Sequence, residues 1–189
     1  ETVSKALAAD ARVKAFAPVV LGTGLASGPT TRVGVVAKVV GVDASTQQAV
    51  VDVGPFTEGS GFLGQTPDGA HGAVLGADLA QELGVGLGDT VQLLAPRLTL
   101  SPFGNIPKLV SLKVTGVLRT GYYLYDTGFV YVDLGLARTL FAGPGRVSAV
   151  QVRLADPARI AEVAGEIQRD LGPEYRVLDL IATNAEFFK

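Results

Sequence analysis

Residues 72–96, GAVLGADLAQELGVGLGDTVQLLAP, restrict the fold more tightly than any other stretch of the chain. The spacing predicts a short strand over 73–75 and a short helix over 78–83. Gly84 then stands where a helix ends in a left-handed residue, a conformation that glycine adopts without strain. A turn through Gly86 and Gly88 follows, and Asp89 and Thr90 open an apolar strand over 90–94. The run Gly84-Val85-Gly86-Leu87-Gly88-Asp89 has the composition of a phosphate loop but the opposite order. A dinucleotide loop follows a strand and opens a helix, so that the helix N-terminus faces the phosphate. Here the glycines end a helix and open a strand, which makes them structural.

The rest of the composition narrows the function classes. A chain of 189 residues can bury one good core or two small subdomains. Net charge is −2, which leaves no electrostatic footprint for nucleic acid or an anionic membrane surface. No cysteine is present, so there is no disulfide framework, thiol nucleophile or thiolate metal site. The single histidine, His71, excludes a multi-histidine metal centre. Hydrophobic residues at 48% together with 24 glycines suit a strand-rich globular domain. The longest apolar run, 33–42, is interrupted by Lys38, falls short of the roughly 20 residues that cross a bilayer and reads as a buried strand. Glu1 opens directly into an amphipathic segment, so no leader is expected within these residues.

Taken in order, residues 2–11 read as a helix, with Val3 and Leu7 four apart. Residues 12–25 turn extended: Val13, Ala15, Ala17, Val19 and Leu21 recur at period two, and Pro18 marks an edge or a bulge. Gly28-Pro29 is a turn, and 31–42 is expected to pair antiparallel with the strand before it. Residues 44–53 fit a short helix or a strand alike. Residues 55–61 read as a loop and Thr66-Pro67-Asp68-Gly69 as a turn. A strand over 109–118 places Val110, Leu112, Val114, Gly116 and Leu118 on one face. With the strand before it, this makes a long hairpin over 97–118. Residues 128–132 form a short strand, and Asp133 caps a helix that Gly143-Pro144-Gly145 breaks. Residues 147–154 form a strand. Asp156-Pro157 starts a helix whose stripe is Ile160, Val163, Ala164, Ile167 and Leu171. A further strand over 175–178 would complete a right-handed βαβ unit, with 179–189 helical. The chain thus divides into an α/β subdomain from its two ends, 1–27 and 146–189, and a β-rich insertion over 28–145.

Few residues invite a catalytic reading. His71 sits in a turn between glycines, near no Gly-x-Ser-x-Gly elbow, and reads as an exposed loop histidine. Glu162 and Glu166 share a polar helix face, which reads as solvated surface. Tyr122, Tyr123 and Tyr125 lack interleaved basic residues and read as packing. Residues 101–108, SPFGNIPK, differ. Leu98, Leu100, Phe103 and Ile106 put large apolar groups in or beside a loop bracketed by Pro102 and Pro107. Exposed apolar tips mark contact surfaces, and prolines lower the entropy lost on capture. On residues alone, this loop fits a contact surface and a loop folded back on its own core equally.

The order of these motifs resembles the extracytoplasmic domain of lipoprotein-releasing ABC permeases of the LolC/LolE type, within the MacB/FtsX superfamily. The likeness rests on 13–42, on 72–96, on Lys113-Val114-Thr115-Gly116-Val117-Leu118, on Gly121 to Asp126 and on 147–157, VSAVQVRLADP. It implies an α+β fold, a MacB-like periplasmic core with a discontinuous βαβ-type Porter subdomain (1–27 and 146–189) and an inserted β-rich Sabre subdomain (28–145). That insertion carries a hook hairpin at about 97–110. The tip Ser101-Pro102-Phe103-Gly104-Asn105-Ile106-Pro107 resembles the family's hook, which captures a LolA-like periplasmic lipoprotein carrier. The resemblance implies partner-binding roles for Pro102, Phe103, Gly104, Asn105, Ile106 and Pro107, with Arg97 and Lys108 as flanking basic contacts. Asn105 stands where the family often carries a basic residue.

What the resemblance implies is not an enzyme. It is the periplasmic part of an inner-membrane permease that releases lipoproteins and passes them to the carrier, with ATP hydrolysis on a separate subunit and a partner permease joined through transmembrane parts. No cofactor, metal or nucleic acid is expected. Two other readings stand beside it: a MacB/FtsX-like domain transmitting motion to an adaptor or a cell-wall hydrolase, and a hydrolase using scattered carboxylates.

Overall fold

The computed structural model describes residues 2–31, 33–101 and 104–179, with the side chains of Thr2 and of residues 97–106 outside the description. The chain divides into two compact units, residues 17–151 and residues 1–16 with 152–189.

The larger unit is built on a ring of strands. β1 (Val13–Ser27) pairs antiparallel with β2 (Val35–Val42), as the sequence leads one to expect. β2 pairs parallel with β7 (Phe129–Asp133), β7 antiparallel with β4 (His71–Gly76), and β4 parallel with β6 (Gly104–Leu118). β6 pairs antiparallel with β5 (Thr90–Ser101), and β5 returns to β1 through Leu25–Leu94. Six strands therefore close a barrel, and closure satisfies the backbone groups that an open edge leaves unpaired. Two strands lie off the ring: β8 (Ala149–Leu154) beside β1, and β3 (Thr57–Gly59) against the end of β6.

The barrel interior is filled by Val20, Val39, Leu75, Val91, Leu93, Leu112, Val114 and Val130, all fully or almost fully buried. Leu79 and Leu83 of α3 (Ala77–Leu83) and Leu140, just beyond α5 (Leu134–Ala137), complete that core. Each such side chain contributes about 2 kcal/mol by leaving water. A second, smaller cluster of Val19, Val40, Val42, Leu63, Val74 and Leu118 lies on the opposite side of the sheet. Val19 and Val20 thus serve different cores. The same division corrects the expected face of β6. Opposite Ala73 and Val74 the register slips by one residue, leaving Thr115 unpaired. Its hydroxyl is instead within bonding distance of the carbonyls of Phe62 and Ala73. Beyond this bulge the phase inverts, so Leu118 joins the outer cluster and Val117 packs on the inner one.

Local chemistry sets the short elements. Asp43 accepts the amides of Ser45 and Thr46 and starts α2 (Ala44–Val50), so this stretch is a helix rather than a strand. Asp133 caps α5 through the amides of Gly135 and Leu136. Gly84 ends α3 at φ 67°, ψ 39°, and the Thr30 hydroxyl donates to the carbonyl of Leu83 (2.9 Å). β2 is less buried than its sequence suggests. Its odd positions face the core, whereas Val36 and Lys38 are exposed on the outer wall.

The smaller unit holds α1 (Thr2–Ala9), the first residues of β1, the last of β8 and α6 (Ile160–Leu171). Leu7, Val163 and Ile167 are its buried apolar side chains among the described residues. Asp156 accepts the amide of Ala158 ahead of Pro157, as the sequence indicates. Arg12 bonds Asp10 and also reaches Glu166, so Glu166 is half-buried and paired rather than solvated. The strand expected over 175–178 does not form. The Gln168 side chain donates to the carbonyls of Gly172 and Tyr175 and accepts the amide of Val177. One helix side chain thus satisfies backbone groups that a ladder would have used. The helix expected over 179–189 lies almost wholly outside the described residues.

Candidate functional site

The hairpin expected over 97–118 is formed by β5 and β6. β5 and β6 pair regularly from Thr90–Lys113 to Ala95–Lys108, and the next pair is Leu98–Pro107. Pro96 and Arg97 are therefore two extra residues on β5. They sit where Pro96 cannot donate to a ladder, and a bulge there bends the ribbon. Beyond it, Leu98, Thr99, Leu100 and Ser101 pair with Pro107, Ile106, Asn105 and Gly104. This arm pairs with no third strand among the described residues. The two-residue tip, Pro102 and Phe103, lies outside them, as do the side chains of Arg97, Asn105 and Ile106. Pro107 is exposed, and Lys108 at the base of the arm has its Nζ 3.5 Å from the carbonyl oxygen of Thr139.

A second surface lies at the other end of β6. The sequence leads one to expect packed tyrosines at a turn; the structure has a short helix, α4 (Tyr123–Gly128), with Tyr123 in solvent and the Tyr125 ring packed against Phe129, 5.0 Å between centroids. Tyr122 is 53% exposed, Tyr123 80% and Tyr125 38%. The cause is Asp126. Its carboxylate is buried and accepts the amides of Thr120 and Gly121 and the Thr120 hydroxyl, each at 2.9 Å. The turn is thereby folded around the aspartate, and the tyrosines are left outside. Gly76 makes room for it: a Cβ there would lie 2.4 Å from the carbonyl oxygens of Tyr125 and Asp126. Periodicity could not reveal this helix, because six residues are too few and the polar side chain is the one turned in.

A shallow cleft of about 520 Å³ is lined by Ser60, Thr66, Asp68, Leu87, Gly88 and Lys113, among others. Lys113 bonds Asp68 at 2.9 Å. The Thr66 hydroxyl, and then Lys113, hold the Asp68 carboxyl down at about 2. This is a carboxylate locked in its charged form, the opposite of a proton donor. His71 is not in a loop but opens β4, half-buried opposite Leu112. Among the described residues no three His, Asp or Glu side chains come together as metal ligands. Nor is any helix there long and apolar enough to cross a membrane.

The chain matches the model of the MacB-like periplasmic core domain over residues 1–170. It is 31% identical over 134 residues to a lipoprotein-releasing system transmembrane protein LolC from Neisseria meningitidis serogroup B, covering 69% of this chain and 32% of that protein. The chain thus spans about a third of the length of the curated relatives it matches. Two solved structures share its fold. The extracellular domain of the ABC-type transporter YknZ from Gram-positive bacteria superposes at a TM-score of 0.56, with 16% identity, 90% of this chain and 81% of that one covered. The periplasmic region of MacB from Actinobacillus actinomycetemcomitans gives 0.55, with 13% identity and 90% and 71% covered.

Proposed function

The chain belongs to the MacB-like periplasmic core domain family, and from that premise we propose that it is the periplasmic part of an inner-membrane ABC permease that releases lipoproteins and passes them to a LolA-like periplasmic carrier. The observation that carries this reading is the β5–β6 arm. It is a ribbon that continues past a two-residue bulge at Pro96-Arg97 and pairs only with itself among the described residues. A greasy tip on it, held by Pro102 and Pro107, is suited to being gripped by a concave partner. In this role Phe103 and Ile106 enter the carrier, Gly104 and Asn105 between them start the returning strand and take part in the contact, and Arg97 and Lys108 meet acidic rim groups. The two subdomains take the Porter and Sabre roles, and ATP is hydrolysed on a separate subunit beside a partner permease.

Binding of this chain to a purified LolA-like carrier, read by surface plasmon resonance, tests the proposal. Phe103→Asp with Ile106→Asp is expected to weaken binding by roughly a hundredfold, the loss expected from two hot-spot anchors. Equal binding by the doubly substituted chain, at an unchanged melting temperature, would remove the hook. The competing reading, a domain transmitting motion to an adaptor or hydrolase, draws on the shared fold with MacB and YknZ. It gains if no carrier binds either form.

A further inference from the structure

We propose that the β5–β6 arm takes an extended strand from its protein partner along one edge only, the β5 edge at Leu98 and Leu100. Register settles which backbone groups are free. Ser101 pairs with Gly104 across a two-residue tip. That bridge can be made only by Ser101 and Gly104 bonding each other, because the residues between them are neighbours in the chain. Hydrogen-bonded and non-hydrogen-bonded pairs then alternate down the ladder. Thr99 and Ile106 bond each other, whereas Leu100–Asn105 and Leu98–Pro107 are non-hydrogen-bonded pairs. The residues of such a pair turn their N–H and C=O groups away from the strand opposite. The outward groups are therefore those of Leu98 and Leu100 on β5, and of Asn105 and Pro107 on β6.

The two edges are not equivalent. Pro107 has no N–H, and it stands where that group would have faced outward. It takes nothing from the arm's own ladder and blunts the β6 edge, as prolines do on strands that must not be extended. The β5 edge has no such guard at Leu98 and Leu100, and it keeps two donors and two acceptors in line. β1, the strand that pairs on that side among the described residues, does not reach them. Its ladder with β5 runs only from Leu25–Leu94 to Ser27–Gln92. Pro96, the second residue beyond Leu94, has no donor with which to carry that ladder on. A further strand can therefore lie end to end with β1 on the same edge.

Unpaired backbone groups spaced as in a ladder select an extended chain, which is held by its main chain rather than by its side chains. The occupant is an edge strand of the partner that grips the tip. A second copy does not suffice. Residues 98–100 of two copies, laid edge to edge, bury far less than the roughly 1,200 Å² of a stable interface. This edge on its own holds no dimer, so its occupant must grip something more than the edge, and the tip is the adjoining handle. The inference rests on the proposed capture of the arm by a carrier and adds how the carrier holds it.

Amide hydrogen exchange of the isotope-labelled chain, followed by NMR with and without a purified LolA-like carrier, tests this. On binding, the Leu98 and Leu100 amides are expected to slow roughly tenfold or more while the Asn105 amide keeps its rate. In surface plasmon resonance, Leu100→Pro removes one outward donor and is expected to weaken carrier binding roughly tenfold, whereas Asn105→Pro on the opposite edge changes it by less than about twofold. Leu100→Ala keeps the donor and is expected to weaken binding less than Leu100→Pro. A melting curve for each variant confirms the fold. Carrier binding that depends on Phe103 and Ile106 but leaves the Leu98 and Leu100 amides exchanging as before would overturn this inference and leave the carrier reading standing. Protection of the Asn105 amide in their place would do the same. A carrier that does not bind the unaltered chain would overturn both. Protection of the β5 amides in the free chain, rising with its concentration, would assign the edge to a second copy and equally overturn the inference.

Discussion

Single residues decide where elements stop, and Gly84 is the clearest case. It has a positive φ, and a Cβ there would lie 2.3 Å from the Thr30 hydroxyl that seals the end of α3. Gly84→Ala therefore strains the backbone and displaces that hydroxyl together. The expected loss is about 2 kcal/mol, read as a lower urea midpoint at unchanged slope. Gly84 was legible in the sequence because its reason is local: a helix of seven residues must end, and glycine ends it. Asp126 was not. Its role depends on Thr120 and Gly121 folding back onto it, and nothing in TGYYLYD distinguishes a buried carboxylate from a solvated one. His71 was misread for a related reason. The glycines around it suggest a turn, but β6 supplies a parallel partner and draws the residue into β4.

At the scale of elements, the β5–β6 arm is separable from the barrel it leaves. Its four pairs beyond Pro96-Arg97 involve only its own two strands. Replacing 98–107 by a two-residue Asn-Gly turn is therefore expected to leave the melting temperature within about 2 °C. A larger fall would show that the arm's side chains are part of the core. The returning strand of the hairpin was readable from alternation, whereas the hairpin begins at Thr90 rather than Arg97, because the strand expected over 90–94 runs on past the bulge at Pro96-Arg97. The inversion of β6 at Thr115 was not readable, because a bulge is fixed by the partner strand and leaves no mark on the period of its own. The missing strand over 175–178 shows the same limit. Its apolar alternation is real, but Gln168 takes its backbone groups first.

The whole molecule owes its shape to pairings far apart in sequence. The α+β class and the mixture of strands and short helices could be read directly. Closure of six strands into a ring could not, since it depends on Leu25–Leu94 and Lys38–Phe129, contacts that no local pattern encodes. The ring and its core lie in residues 17–151, whereas the other unit buries Leu7, Val163 and Ile167 among its described residues. Native-state hydrogen exchange is accordingly expected to be slowest in β2, β4 and β7 and faster in α6, by about 2 kcal/mol of opening free energy. Equal protection in α6 and β4 would mean that the two units open as one. β6 itself has a mechanical consequence. It is continuous from the arm to Leu118 and is bonded to β5, β4 and β3. A tug along its length loads many ladder bonds in shear at once, whereas a sideways peel breaks them singly, so the strand acts as a stiff rod for lengthwise force and yields readily to a lateral one.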